Sequence, residues 1–126
     1  MWHVRWNSPD EFGAWWESLG EEEQDSIRDI VALSRDRGPL LGRPYADTLR
    51  DSKPANPKEL RLQHQGRPYR VLFIFDPRRI ALLLVGGDKT GNDRWYEEFV
   101  PKAEQIYAQF LKEISEEKRK GEPDGT

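Results

Sequence analysis

The chain contains no cysteine and only two histidines, His3 and His64. The first absence excludes a disulfide framework, a thiolate metal site and a cysteine nucleophile. The second leaves too few imidazoles for an ordinary zinc site, and no metal or cofactor is expected. Long apolar runs are also missing. The longest, Ile80 to Val85, falls far short of the roughly 20 residues a membrane-spanning helix needs. Met1 to Trp6 lacks the charged-then-apolar build of a secretion signal, so the expectation is a soluble cytoplasmic protein with no membrane partner. Mean hydropathy is low, at −0.90, and 34% of residues are charged. Yet 36% are hydrophobic and five are tryptophan, an aromatic load that disordered chains seldom carry. At 126 residues this is one domain, large enough to bury a core.

Val4 to Trp6 predicts a short strand. Ser8-Pro9-Asp10-Glu11 has the build of a capping-box helix start, and Phe12, Trp15, Trp16 and Leu19 then fall on one helical face. A second helix is predicted from about Glu21 to Arg37, acidic in its first turn, basic in its last and closed by Gly38-Pro39. Its buried side is marked by Ile27, Ile30, Val31 and Ser34. Residues 40–57, rich in proline and without period, read as an ordered loop. Glu59-Leu60-Arg61-Leu62-Gln63 alternates, which places the leucines inward and Glu59, Arg61 and Gln63 outward. Gln65-Gly66 is a turn. Tyr69 to Phe75 becomes apolar on both faces, as a central strand does, and Ile80 to Val85 is a third buried strand beyond the turn at 76–79. Short turns make these strands antiparallel neighbours. Gly86 to Asn92 reads as a polar loop, and Phe99, Ala103, Ile106, Tyr107, Phe110 and Ile114 mark a last helix in which Pro101 makes a kink or a new start. Residues 1–114 form the domain and 115–126 a charged, flexible tail. The expected fold is α+β: one antiparallel sheet with two N-terminal helices and a C-terminal helix.

Charge is unevenly spread. Net charge is −3, but Lys58 to Arg94 holds eight Lys/Arg against four carboxylates, leaving that segment about +4 and the remainder about −7. A cationic surface on an acidic protein points to a polyanion, most simply nucleic acid. Arg61 and Arg70, on adjacent strands, have the spacing of a two-pronged phosphate clamp; the plainer alternative pairs them with Glu59 or Asp76. Arg70 shares a face with Leu72 and Ile74, where a charge needs a reason. Lys89, in Gly87-Asp88-Lys89-Thr90-Gly91, follows a strand and precedes a helix, but the phosphate-loop spacing is absent and nucleotide hydrolysis is unsupported. Lys89 either steadies a phosphate or pairs with Asp88. Trp95 and Tyr96 open the last helix; they stack on bases, donate a proton in the case of Tyr96, or belong to the core. His64, near Arg61 at the end of its strand, has the only side chain there suited to acid-base work near neutrality, unless it is simply solvated. Arg67, Arg78, Arg79 and Arg94, with Trp95, complete the candidate RNA-binding set.

Taken in order, Leu41-Gly42-Arg43-Pro44, Asp47-Thr48-Leu49, Lys58-Glu59-Leu60-Arg61 and Gly66-Arg67-Pro68-Tyr69-Arg70-Val71-Leu72-Phe73 resemble the HigB-like toxins. These are the phage-derived Gp49-like branch of the RelE/ParE superfamily. Phe75-Asp76-Pro77-Arg78-Arg79, Gly86 to Gly91 and Arg94-Trp95-Tyr96-Glu97 extend the match, which runs from about Trp6 to Leu111. The resemblance implies a RelE-like domain and the toxin of a type II toxin–antitoxin pair: a metal-independent, ribosome-dependent mRNA endonuclease. In such cleavage the RNA's own 2′-hydroxyl attacks the adjacent phosphate. Implied partners are a HigA-like helix-turn-helix antitoxin, the ribosome and mRNA, with room for higher-order toxin–antitoxin assembly. Arg61, Arg70 and Lys89 would stabilise the phosphate, Tyr96 would act as acid or stacking platform, and His64 is the candidate base. The rival expectations are a ParE-like gyrase inhibitor that cuts no RNA and an inactive phage-derived protein that retains antitoxin binding.

Overall fold

The computed structural model describes residues 2–6, 11–49, 57–76 and 78–121. The predicted cap at 8–10, Pro54, Pro77 and the last five residues lie outside them. Nine elements follow in order: β1 (His3–Arg5), α1 (Glu11–Glu17), α2 (Glu21–Arg37), a 3-10 turn (Gly38–Leu40), β2 (Ala46–Thr48), β3 (Lys58–His64), β4 (Arg67–Asp76), β5 (Ile80–Asp88) and α3 (Trp95–Gly121). The strands form one five-stranded sheet in the order β1-β5-β4-β3-β2.

The architecture is the α+β arrangement predicted, with differences that have physical causes. The sheet is mixed rather than wholly antiparallel, because β1 runs parallel to β5 with Val4 opposite Ala81. The loop before β3 contains β2, a three-residue strand held by register with β3 (Ala46 opposite Leu60, Thr48 opposite Lys58) rather than by any alternation of its own. Gln65 and Gly66 both take positive φ, 51° and 78°, which suits the two-residue turn that brings His64 opposite Arg67. Ser115 to Gly121, expected in a flexible tail, continue α3, and Pro101 lies inside that helix without dividing it.

Helices cover both faces of the sheet. On one face Phe12, Ile27 and Ile30 of α1 and α2 pack with Leu60, Tyr69, Val71, Phe73 and Leu83 of the sheet. On the other, Trp95, Ala103, Tyr107 and Phe110 of α3 pack with Leu72, Ile74, Leu82, Leu84 and Val85. The central strand β4 feeds both layers, hence its apolar run. Each fully buried Leu or Phe here contributes about 1.5–3 kcal/mol. Among the described residues no helix is long and apolar enough to cross a membrane.

The end of β5 decides where the site lies. Gly86 and Gly87, expected in a loop, are strand residues paired with Val71 and Arg70. A register shift in the β4–β5 pairing between Leu72 and Phe73 leaves one extra residue on β5. Beyond it, Gly86 faces α1 and Gly87 faces α3. A Cβ at Gly86 would come within 2.2 Å of the Trp15 ring, and one at Gly87 within 2.7 Å of Trp95 Nε1. An indole therefore seats on the bare backbone from each side. On the α3 side this brings the first turn of the helix close to Arg70.

Candidate functional site

Alternation along β3 and β4 puts Glu59, Arg61 and Arg70 on the α3 face of the sheet. Glu59 is buried, although its place in the sequence pointed outward: α3 covers this face, and its second residue, Tyr96, closes over the carboxylate. Tyr96 Oη donates to Glu59 Oε2 at 2.5 Å. Arg70 Nε donates to Tyr96 Oη at 3.3 Å and lies 3.8 Å from Glu59 Oε2. Arg61 Nε approaches the other carboxylate oxygen at 3.7 Å. Lys89 Nζ sits 5.2 Å from the centre of the Tyr96 ring, while its backbone N–H donates to Pro68 O at 2.9 Å. Five side chains from β3, β4, the loop after β5 and the start of α3 thus converge: three cations, one acid and one phenol.

Burial differs sharply within the cluster. The Arg70 and Glu59 side chains are 8% and 7% exposed, whereas Arg61 is 35% exposed. Arg70 is fixed further by donation from Nη1 to the carbonyl of Tyr69 at 2.9 Å. Burial pushes the Tyr96 phenol above its ordinary pKa, and its bond to Glu59 does so too, with Arg70 pulling the other way. The phenol therefore holds its proton at neutral pH. Chemically, the arrangement offers guanidinium and ammonium groups for a phosphate, a phenolic donor, and a carboxylate able to take up a proton.

Four of the five predicted catalytic residues, Arg61, Arg70, Lys89 and Tyr96, meet here; His64 does not. The pleat turns His64 to the opposite face, where its Nδ1 lies 3.0 Å from Ser26 Oγ and its ring stacks near Tyr69. Tyr69 Oη there donates to Glu23, and burial first, then this bond, pushes the Tyr69 phenol up to about 12. Glu59 was not among the predicted site residues, but the plainer reading of Arg61 and Arg70, that they pair with this carboxylate, holds for both at 3.7 and 3.8 Å; what the sequence did not show is that the pairing is buried.

The predicted RNA-binding residues divide. Arg67, 62% exposed and 3.9 Å from Asp88, lies beside the hairpin turn; Arg94, 85% exposed, precedes α3. Both are at the cluster's end of the sheet. Arg78 is six strand positions or more from Arg70, about 20 Å along β4, and is held by Asp76 through two bonds of 2.6 Å. Arg79 packs over Trp2. Trp95, at 2% exposure, is a core residue stacked on Phe99 and unable to offer its face to a base. The cationic segment is thus not one patch, because strand length carries its two ends apart.

Comparison with known proteins matches residues 14–108 to the family described as "Phage derived protein Gp49-like". A Mycobacterium tuberculosis protein described as "Putative toxin HigB3" is 45% identical over 98 residues, which cover 77% of this chain and 84% of that protein. Another from the same organism, described as "Putative toxin HigB2", is 37% identical over 120 residues. This chain is covered to 93% in that match but spans only 60% of the relative's length. The family match spans the segment that builds the cluster, and the chain belongs to the phage-derived Gp49-like family.

Proposed function

We propose that the protein is the toxin of a type II toxin–antitoxin pair and acts as an endoribonuclease on mRNA at the ribosome. The observation that carries this reading is the convergence of Arg61, Arg70, Lys89 and Tyr96 around Glu59. The description of its relatives as toxins supports it. The scissile phosphate would lie against the exposed edge of the cluster, with Arg61 and Lys89 reaching its oxygens and Arg70 behind them. Glu59 would take the proton of the 2′-hydroxyl as that oxygen bonds to phosphorus. Tyr96 would give its proton to the departing 5′-oxygen. The products are a 2′,3′-cyclic phosphate and a 5′-hydroxyl. Transfer of the captured proton from Glu59 back to Tyr96, along the 2.5 Å bond they already share, would restore the site. His64 has no part in this scheme. A helix-turn-helix antitoxin would be the neutralising partner.

Controlled expression in bacteria, with mapping of new 5′ ends on mRNA, tests the proposal. Growth arrest with cuts inside translated regions is expected, and both should disappear in a folded Arg70→Ala variant. Arrest with intact transcripts and stalled gyrase would replace this reading with gyrase inhibition. Accumulation of soluble protein without arrest would leave an inactive antitoxin-binding protein.

A further inference from the structure

Beside the cluster, between α2 and the part of β3 that β2 does not cover, runs an open groove of about 580 Å³. Arg61 and Arg70 form the end that it shares with the cluster. Its apolar lining comes from Ile30, Leu33, Leu62 and Pro44. Tyr45, which also lines it, is 41% exposed and has no ring contact or side-chain hydrogen bond among the described residues. Ser26, Asp29 and Gln63 add polar groups; Ser26 Oγ lies 3.0 Å from His64 Nδ1, whereas among the described residues neither Asp29 nor Gln63 makes an ion pair or side-chain hydrogen bond.

We propose that this groove is a nucleobase-recognition subsite that takes a guanine flanking the scissile phosphate. The identification rests on the cleavage reading above for its place in the reaction, but its chemistry is independent. An open groove with apolar lining and an exposed ring suits an unstacked base, and stacking on Tyr45 is indifferent to which base it is. Asp29 is not indifferent. A carboxylate repels a second phosphate, so it is ill suited to the backbone of the strand whose phosphate the arginines would hold. It accepts only, and guanine alone among the four bases presents two adjacent N–H donors, N1 and N2, to a single carboxylate. Adenine and cytosine offer one amino group each, and uracil one imino group. The Gln63 amide can donate to the O6 of the same base. Arg61 joins the two functions, since it lines the groove and contacts Glu59 in the cluster.

The test titrates the labelled full chain with guanosine 3′-monophosphate and, in parallel, uridine 3′-monophosphate, following resonances of Tyr45, Asp29 and the Gln63 side-chain amide. Guanosine should move all three and bind about tenfold more tightly than uridine, the scale of one good bidentate base contact. Asp29→Asn should remove that discrimination. Tyr45→Ala should weaken both nucleotides about tenfold, and Tyr45→Phe should retain both. In the 5′-end maps, wild type should show guanine at one fixed position beside the cut, and Asp29→Asn should flatten that preference. Equal binding of the two nucleotides, shifts confined to other surfaces, or an unchanged base preference in Asp29→Asn would each overturn the subsite. Guanosine seated in the groove of a protein that cuts no RNA would instead uphold the subsite and remove the cleavage reading.

Discussion

Replacing Gly87 by alanine adds one methyl group where α3 presses its first residue against the sheet. The new carbon would stand 2.7 Å from Trp95 Nε1, 3.1 Å from Cζ2 and 3.2 Å from Cε2, all below ordinary contact. The ring has no easy retreat: it is 2% exposed and stacked on Phe99 with centroids 4.8 Å apart. Overpacking of this kind costs about 1–3 kcal/mol. Gly87 does not have a positive φ, so alanine suits the backbone and recovers about 0.4–1 kcal/mol through the unfolded chain. The enclosed ring places the penalty in the upper part of its range, and a net loss of about 2 kcal/mol is expected. For a chain of this size that lowers Tm by about 8 °C. Thermal unfolding followed by tryptophan fluorescence measures it. Gly42→Ala is the control, since a Cβ there meets nothing within 4 Å, and it should leave Tm unchanged or slightly raised. The loss from Gly87→Ala should shrink in a Trp95→Phe background. A Gly87→Ala protein as stable as wild type, with unaltered fluorescence, would refute the seating of the indole on the strand. Because Tyr96 follows Trp95 directly, the same substitution should also lengthen the Arg70–Tyr96 contact and lower activity.

Glu59→Ala should cost about 3–5 kcal/mol, because it leaves the buried Arg70 guanidinium without its carboxylate; Arg70→Met in the same chain should recover much of that loss, and additive urea-unfolding energies would contradict the pairing. Arg78 holds the Asp76 carboxyl below its ordinary range, first by side-chain hydrogen bonding and also through its backbone N–H. That contribution is complete above the unfolded pKa of about 3.9 and is lost as pH falls through the lower folded value. Asp76→Asn should therefore cost about 1.5–3 kcal/mol at neutral pH and flatten the acid limb of the stability profile. At the alkaline end, the phenol of Tyr69 ionises near pH 12 against about 10 unfolded, so its contribution is whole below pH 10 and disappears between the two values. Tyr69→Phe should abolish the phenolate absorbance step near pH 12, and persistence of that step would assign it to another tyrosine.

The elements whose period is carried by many residues were legible in the sequence: α2, the β3–β4 hairpin, β5 and most of α3. What escaped depended on partners distant in sequence. Leu60 and Leu62 showed that Glu59-Leu60-Arg61-Leu62 was a strand, but nothing in those residues revealed that a helix thirty-odd positions later would cover the polar face. Glu59 was therefore read as solvated. Ala46-Asp47-Thr48 is too short to alternate and is a strand only because β3 lies beside it. Gly86-Gly87 carries the composition of a loop, yet glycine is required there by two indoles pressing from opposite sides. Arg70 was singled out correctly as a charge beside apolar neighbours. Arg78 and Arg79 were grouped with it because charge counting ignores the length of a strand. Lys89 and Tyr96 were reached through their place after β5 and at a helix start, and only the family resemblance, not spacing or periodicity, joined them to Arg61.

The cluster is assembled from positions 59, 61, 70, 89 and 96, and the last of these is set in place by a helix that must dock along the sheet. A chain under synthesis therefore carries both arginines, Arg61 and Arg70, before the phenol of Tyr96 is added. Tyr96 is oriented only when α3 has packed its Ala103, Tyr107 and Phe110 onto β4 and β5. Completion of the site thus coincides with completion of the fold. For a protein proposed to cut mRNA at the ribosome, this order of assembly separates production from action in time. Any truncation that spares β4 but removes α3 would yield a harmless product.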